Sequence, residues 1–430
     1  VPGVGNTIMI IASYPLLKDA SMLQMLLYYL AIISSSQFSG SVVATVFGIP
    51  GESSSLPAVI EGNRMFRRGV GNFAISNAAI GSVLAVLVVY SILPFAIELI
   101  KEFYNNTVQL VILLVATTSI CFVMGKSIAQ NIFVFGIGIV LALVGTQGSP
   151  YYVFLPEVIP YETFPLLLTN LPFFPLIISL YVFPVLLQTY KMFDGYESEK
   201  KYEDNNKFSE HCKEFYKNIS SSLRGSAFGC FIGLVPHIGA AVSSNLSYAI
   251  EKKFGIRWGQ YHTKGDIKTL VAAETANNST GLVSLLPLIL IGIPITVSEA
   301  MLLGYIEINS YTINYQTTVD SGMFETMVIW FVLINAVSFI LAWPLVRYIN
   351  LLQKISIKQM VWATGLALVA LCYYLGAQSY EEVYYMSVMI CLLPLGYWLR
   401  KAEPMILVIA FILQDKLFAS MHIFYQIHFG

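Results

Sequence analysis

An all-α polytopic membrane protein, built as two related halves, is the fold class this sequence predicts, and three observations carry it. The composition is too apolar for a water-soluble domain, the apolar residues fall in long runs, and the same short motifs recur in the same order in both halves. Of 430 residues, 56% are hydrophobic and 11% charged, where soluble proteins carry about 25% charged residues. The runs 73–99, 108–124, 166–187, 324–346 and 405–418 with its flanks lie near or beyond the length of about 18 residues that crosses a bilayer. At about 20 residues per full span, the chain accommodates about 10–12 membrane helices, re-entrant hairpins included.

The one long polar stretch, 191–222, is rich in Lys, Glu, Asp and Asn and reads as a cytoplasmic linker. It separates a first repeat (1–190) from a second (223–430). Val1-Pro2-Gly3-Val4-Gly5 opens the first repeat, and Val235-Pro236-His237-Ile238-Gly239 stands just beyond the linker. About fifty residues after each comes Gly-Ile-Pro, at Gly48-Ile49-Pro50 and at Gly292-Ile293-Pro294. Two matches in one order at similar spacing indicate a duplication.

The distribution of Lys and Arg orients the halves, because cytoplasmic loops are enriched in both. Arg64, Arg67 and Arg68 follow the first Gly-Ile-Pro, so that loop faces the cytoplasm. Segment 72–99 then exits, 107–125 returns to Lys126, 127–146 exits, and 164–190 returns to the Lys-rich linker. The outer loop 147–160 carries neither Lys nor Arg. After the second Gly-Ile-Pro, residues 304–326 also lack both and belong outside. Segment 323–346 enters to Arg347, 359–376 exits, 383–399 enters to Arg400-Lys401, and 403–420 exits. Corresponding loops fall on opposite sides, which is an inverted-topology repeat.

Leu223–Ile250 is apolar, yet Pro236 and Gly239 break its middle and Lys or Arg flanks both ends. Two arms of roughly 13 residues, at about 1.5 Å per residue, are too short to cross twice, which predicts a re-entrant hairpin. By inversion the first half has a hairpin with Val1-Pro2-Gly3 at its tip. An upstream arm of at least about fifteen residues, on the same rise per residue, is then expected before Val1.

A net charge of −1 offers no surface for nucleic acid. The five cysteines show no CxxC and no metal-ligand spacing. Cys121, Cys230, Cys372 and Cys391 lie in apolar segments and read as small core residues, and Cys212 as a reduced thiol in the linker. No metal site and no cofactor is indicated.

A broken helix within a membrane leaves backbone N–H and C=O groups that must be satisfied by protein or water, and its N-terminus favours anions. The breaking residues coincide with small polar ones at 1–7, 48–55, 235–244, 274–281 and 292–298. Gly51, Ser53, Ser54 and Ser55 supply backbone donors and hydroxyls. Asn277, Asn278, Ser279 and Thr280 supply amides and hydroxyls able to hold a carboxylate or to surround a cation with oxygens. Gly3, Gly5 and Gly239 at the hairpin tips, with Thr296 and Ser298 after the second Gly-Ile-Pro, complete the candidate set for binding a small organic anion. Asn277, Asn278 and Glu274 are candidates for a coupling ion, Na+ or H+, because ionisable groups in apolar segments are functional by default. Glu299 fits that description as well, or else faces an aqueous vestibule. The bland alternatives are a Pro-Gly pair that only bends or packs a helix and a triple Ser that forms a plain turn. Adjacent asparagines resist such a reading, because unpaired amides are costly in an apolar region.

Gly40-Ser41 through Gly48-Ile49-Pro50-Gly51, then Ser53–Ser55, Glu61-Gly62 and Arg67-Arg68-Gly69, resembles the large membrane subunit of tripartite tricarboxylate transporters. In the second half Val235-Pro236, Gly239-Ala240, Ser247-Tyr248, Glu251-Lys252-Lys253, Ala273-Glu274, Ala276-Asn277-Asn278 and Leu290–Pro294 carry the same resemblance. It spans nearly the whole chain. It implies a multi-pass permease of the bacterial inner membrane, working with a small membrane subunit and a periplasmic solute-binding protein. It also implies ion-driven uptake of carboxylates, tricarboxylates among them, and leaves a homo-oligomer open. His237 stands where the family has Gly, and Ile295 where Gly usually follows the second Gly-Ile-Pro; a bulkier residue reduces backbone approach to a ligand.

Two other classes compete. A membrane-embedded enzyme finds no HExxH, no paired intramembrane aspartates and no nucleophile elbow in its favour. A membrane scaffold without transport would show no ligand-induced stabilisation.

Overall fold

The computed structural model describes residues 5–51, 53–103, 127–144, 171–192, 202–204, 206–233, 239–294, 296–352, 355–378, 381–400, 402 and 404–429, with isolated positions between 107 and 118. Among them the chain is helical throughout, with no strand. Six helices are long and apolar enough to cross a membrane, and a bent pair makes a seventh.

The described residues form two compact units, and each draws on both halves of the sequence. The first, residues 1–103 and 193–360, begins with α1 (Asn6–Ala12) and α2 (Met22–Phe47). Ser21 starts α2 with a capping box: its hydroxyl accepts from the Gln24 N–H and Gln24 Oε1 accepts from the Ser21 N–H, which satisfies two of the donors orphaned at a helix start. Gly48 ends α2 in the left-handed region, φ 67° and ψ 26°, where a glycine costs nothing. A short 3-10 turn at Ser53–Ser55, a π-helical stretch at Ala58–Gly62 and α3 (Asn63–Arg67) lead into α4 (Gly71–Phe103).

After the linker come α7 (Phe208–Gly233), α8 (Ala240–Arg257), α9 (Ile267–Val283), α10 (Leu285–Ile291), α11 (Val297–Ile308) and α12 (Met323–Leu345). Helix α9 lies at the centre of this unit, packed by α7, α8, α4 and α2, and every residue from Thr269 to Val283 on it is buried. Small side chains make that possible. Gly225, Gly229 and Gly233 on α7 meet α9 so closely that a Cβ on Gly229 would stand 2.5 Å from the Ala276 carbonyl oxygen, the small-residue contact by which membrane helices approach.

The second unit, residues 104–192 and 361–430, holds α5 (Ile128–Leu143), α6 (Phe173–Lys191), α13 (Ile357–Gln378), α14 (Glu382–Leu399) and α15 (Pro404–Phe429). Gly138 of α5 packs on Leu407 and Ala410 of α15, Gly396 of α14 packs on the Ser179 carbonyl of α6, and α15 bends by 45° between Gln414 and Lys416.

The expected segments at 72–99, 323–346, 359–376, 383–399 and 403–420 each coincide with a described helix. Segment 107–125 lies outside the described residues apart from isolated positions, and 164–190 is described only from residue 171. Three expectations need correction. Residues 208–222 are not open linker but the first half of α7, so the hairpin arms are 26 and 18 residues long, well beyond roughly 13 at about 1.5 Å per residue. The reason is amphipathicity: His211, Phe215, Asn218 and Ser222 point inward from an otherwise charged helix. Cys391 is exposed on α14 rather than in the core, while Cys230 and Cys372 are buried and Cys212 exposed as read; Cys121 lies outside the described residues. Glu299 faces no vestibule: it is fully buried as the third residue of a capping box.

Within the linker's described residues, Tyr202 is held by the segment after α12. Tyr202 and Asn350 exchange two hydrogen bonds of 2.8 and 3.0 Å, and burial together with the Asp204 carboxylate raises the Tyr202 phenol above its ordinary range.

Candidate binding site

All the described candidate residues fall in the first unit, and they gather in two clusters that cross-connect the halves. In one, the start of the first half meets the segment after the second Gly-Ile-Pro: Thr7 Oγ1 on α1 and Ser298 Oγ on α11 share a 2.8 Å hydrogen bond. In the other, the second hairpin meets the segment after the first Gly-Ile-Pro: Ser244 Oγ on α8 donates to the Ser54 carbonyl at 2.7 Å. Ser54 and Ser298 each stand four residues beyond their Gly-Ile-Pro prolines. Both turns carry the same backbone, Gly48 at φ 67°, ψ 26° and Gly292 at φ 68°, ψ 26°.

Gly5 and Gly239 are the N-cap residues of α1 and α8, and around each a Cβ would meet open space. Gly51 differs. A Cβ there would stand 2.6 Å from Gly40 Cα, so its missing side chain serves close packing against α2. Gly3, His237 and Ile295 lie outside the described residues, and Ser53 is described in its backbone alone.

Asn277, Asn278, Ser279 and Glu274 sit on α9 and are all buried. Ser41 of α2 donates to Glu274 Oε2. Asn278 Nδ2 donates to Ser82 Oγ of α4 at 2.9 Å and to the Glu274 carbonyl at 2.8 Å. Gln37 of α2 donates to the Asn277 carbonyl at 3.3 Å and to its Oδ1 at 3.4 Å. Asn277 Nδ2, in a residue 0% exposed, has no hydrogen-bond partner among the described residues. A buried amide donor left over in this way is costly unless something is bound to it. Thr280 links this row to the hairpin: its hydroxyl lies 2.7 Å from Ser243 Oγ and 3.0 Å from the Gly229 carbonyl. Ser243 and Ser244 are neighbours on α8, so Ser54 and the α9 polar row lie on either side of one hairpin arm.

The Thr7–Ser298 cluster extends through α11. Thr296 caps that helix, accepting from the Glu299 N–H at 3.2 Å, and Glu299 accepts from the Thr296 N–H at 3.0 Å and from Ser284 at 2.7 Å. Ser284 is the residue at which α9 breaks from α10. Pro287 follows three residues later, and a proline displaces the helical hydrogen bond into the preceding turn.

Sequence reading missed Gln37, Ser41 and Ser82, whereas Thr7, Ser243, Ser244 and Thr280 lie in the broken, small polar stretches it points to. Gln37 and Ser41 stand in the serine-rich run 34–41, where a polar residue does not stand out, and their partners lie more than two hundred positions away. The signal that could have found them was burial of polar residues in a candidate span. It also missed the site at Glu61 on the π-helical stretch, where the fully buried carboxylate accepts from Tyr248, Tyr261 and the Asp266 N–H at 2.8, 2.9 and 3.1 Å.

Among proteins of known sequence, the chain is 26% identical over 347 residues to an uncharacterised 52.8 kDa protein from the TAR-I ttuC' 3' region of Agrobacterium vitis. That match covers 76% of this chain and 65% of the relative, less than two thirds of the latter's length. No solved structure matches the chain. The family model of the tripartite tricarboxylate transporter TctA family matches residues 1–409, so the chain belongs to that family.

Proposed function

We propose that this protein is the permease of an ion-coupled secondary transporter that takes up a small organic anion, a carboxylate, through the bacterial inner membrane. The TctA family is a membrane component of tripartite transporters and not an enzyme family. On that basis a periplasmic solute-binding protein delivers the anion, and a small membrane subunit completes the assembly. The observation that carries the reading is the crossed pairing of the halves: Thr7 with Ser298, and Ser244 with Ser54. An inverted duplication places such pairs about a pseudo-two-fold axis, where secondary transporters hold their substrates. Asn277 Nδ2 supplies a buried donor for a substrate carboxylate, with Asn278, Ser279 and the Ser54–Ser55 backbone beside the same hairpin arm. Glu274, with Ser41, Asn277 and Asn278 around it, is the group we assign to the coupling cation. The α7–α8 hairpin carries the Ser243–Ser244 end of the site, and one part of the protein moves against another during transport, as an elevator.

The test is uptake into proteoliposomes holding the complete transporter, with labelled di- and tricarboxylates and with a sodium or a proton gradient. Asn277→Ala should lose most uptake of the substrate that wild type accumulates, while Asn245→Ala, next to Ser244 on α8 but with its amide turned back onto the Ala241 carbonyl at 2.7 Å, should retain it. Full uptake by Asn277→Ala would remove the α9 row from the binding site.

A further inference from the structure

Helix α8 turns an apolar stripe outward. Val242, Leu246, Ile250, Phe254 and Trp258 stand four residues apart, which puts them on one side of the helix, and all five are exposed. Cations begin where the stripe ends, with Lys253 and Arg257 exposed beside Phe254 and Trp258. Apolar side chains, then Trp, then Lys and Arg is the order in which a helix passes from hydrocarbon to headgroups.

Neither of the two segments that meet at that end exposes an acid. Residues 61–68 and 251–268 hold eight Lys and Arg and three acids, Glu61, Glu251 and Asp266, and all three acids are buried. Glu61 accepts from Tyr248 and Tyr261, Glu251 from Ser221 and Arg224, and Asp266 from the His262 and Thr269 N–H groups. The segments form one face. Tyr261 donates its N–H to the Gly255 carbonyl of α8 at 3.1 Å and its hydroxyl to Glu61 at 2.9 Å. Arg68 donates to the Lys264 carbonyl at 3.3 Å, and a Cβ on Gly265 would stand 2.6 Å from Met65 Cγ. Arg64, Arg67, Arg68 and Lys264 are exposed on this face. Behind it, Glu61 ties α8 through Tyr248 to the start of α9 through the Asp266 N–H.

We propose that this face binds the headgroups of anionic phospholipids. Their phosphates sit on the arginines of α3, on Lys264 and on the Lys253–Arg257 end of α8, and their chains lie along the outward stripe of α8. Two independent features select that occupant: the cations call for an anion, and the stripe beside them calls for hydrocarbon. Arginine suits the phosphate in particular, because its guanidinium donates two parallel N–H bonds. A headgroup held there steadies α3 and α8 at once, and with α8 the hairpin arm that carries Ser243 and Ser244. Lipid binding at this face does not depend on which solute the protein transports.

Native mass spectrometry of the intact transporter, released from detergent with added phosphatidylglycerol or phosphatidylcholine, reads the binding directly. Phosphatidylglycerol should be retained and phosphatidylcholine lost. The triple variant Arg67→Gln, Arg68→Gln, Lys264→Gln should weaken retention of phosphatidylglycerol by about a hundredfold, the effect of removing three cations near an anionic surface. The charge-preserving set Arg67→Lys, Arg68→Lys, Lys264→Arg should keep most of it, which separates lost charge from lost fold. Hydrogen exchange along residues 240–257 should slow when phosphatidylglycerol is added to wild type and stay unchanged in the Gln variant. Equal retention of the two lipids, or full retention by the Gln variant, overturns the site. Displacement of the lipid by millimolar glycerol phosphate alone would show that the face reads a soluble phosphate, and overturns the lipid assignment. A second copy or another subunit that covers the face and leaves no lipid on it does the same. Lipid retained without slower exchange in α8 overturns the link to the hairpin.

Discussion

The two Gly-Ile-Pro turns share one backbone and diverge in nearly everything attached to it. Gly48 and Gly292 have φ and ψ equal to within a degree. Ahead of the first, α2 runs unbroken for 26 residues; ahead of the second, the helix breaks at Ser284 into α9 and α10. Behind the first come a 3-10 turn and a π-helical stretch with Glu61; behind the second comes α11, closed by the Thr296–Glu299 capping box. The backbone of a turn is set by one glycine, whereas its surroundings are set by many side chains that can drift separately. The buried polar row has concentrated in the second half accordingly. Glu274, Asn277 and Asn278 lie on α9, and α2 supplies their partners Ser41 and Gln37.

The comparison breaks most sharply at the glycines used for packing. In the second half Gly229 approaches the backbone of α9, and a Cβ would meet Ala276 oxygen at 2.5 Å and Ala276 Cα at 2.9 Å. Backbone on the central helix cannot yield, so Gly229→Val should cost more than the 1–3 kcal/mol typical of overpacking, about 3 kcal/mol or above. The loss of folded protein in detergent, followed by thermal unfolding, measures it. In the first half Gly51 meets Gly40 Cα at 2.6 Å, but from a short turn rather than from a long helix, so it can shift further. Gly51→Ala should therefore cost about 1–2 kcal/mol. Equal losses at the two sites would show that α9 is no more central than the turn after α2.

The turns themselves should respond alike. Placing a Cβ in the left-handed region costs about 1–2 kcal/mol, and the two glycines have the same dihedral angles. Gly48→Ala and Gly292→Ala should lower thermal stability by the same amount within error. If one abolishes uptake at unchanged stability, that turn touches the ligand, and the duplicated geometry has been put to use on one side only.

The difference between the copies also explains how much of the molecule the sequence revealed. Helices such as α4, α12, α13 and α14 were legible because a bilayer-length apolar run has few alternatives. The arms of the α7–α8 hairpin were misjudged because Lys213, Glu214 and Lys217 dominate the composition of 208–222, while the inward stripe of His211, Phe215 and Asn218 is sparse. Asn277 and Asn278 stood out because paired amides in an apolar segment need an explanation. Gln37 and Ser41 did not, because the run 34–41 of α2 is full of serines and the meaning of these two comes from α9. The crossed pairing of the halves is a tertiary fact. Repeated motifs announce a duplication, but which element of one copy meets which element of the other depends on packing.

The smallest effect separates the two crossed pairs. Thr7 and Ser298 bond through their side chains, whereas Ser244 donates to the main-chain oxygen of Ser54. Hydrogen bonds between membrane helices are worth about 0.6 kcal/mol on average. A double-mutant cycle of Thr7→Val and Ser298→Ala, read by thermal unfolding, should give a coupling of about that size. The cycle of Ser54→Ala and Ser244→Ala should give none, because the Ser54 carbonyl survives its own mutation and only Ser244→Ala removes the bond. If both cycles show coupling, the Ser54 hydroxyl engages α8 as well, and the two pairs are more alike in chemistry than their geometry indicates. If neither does, the pairs are contacts without energetic weight, and the case for a site at the crossing of the halves rests on Asn277 alone.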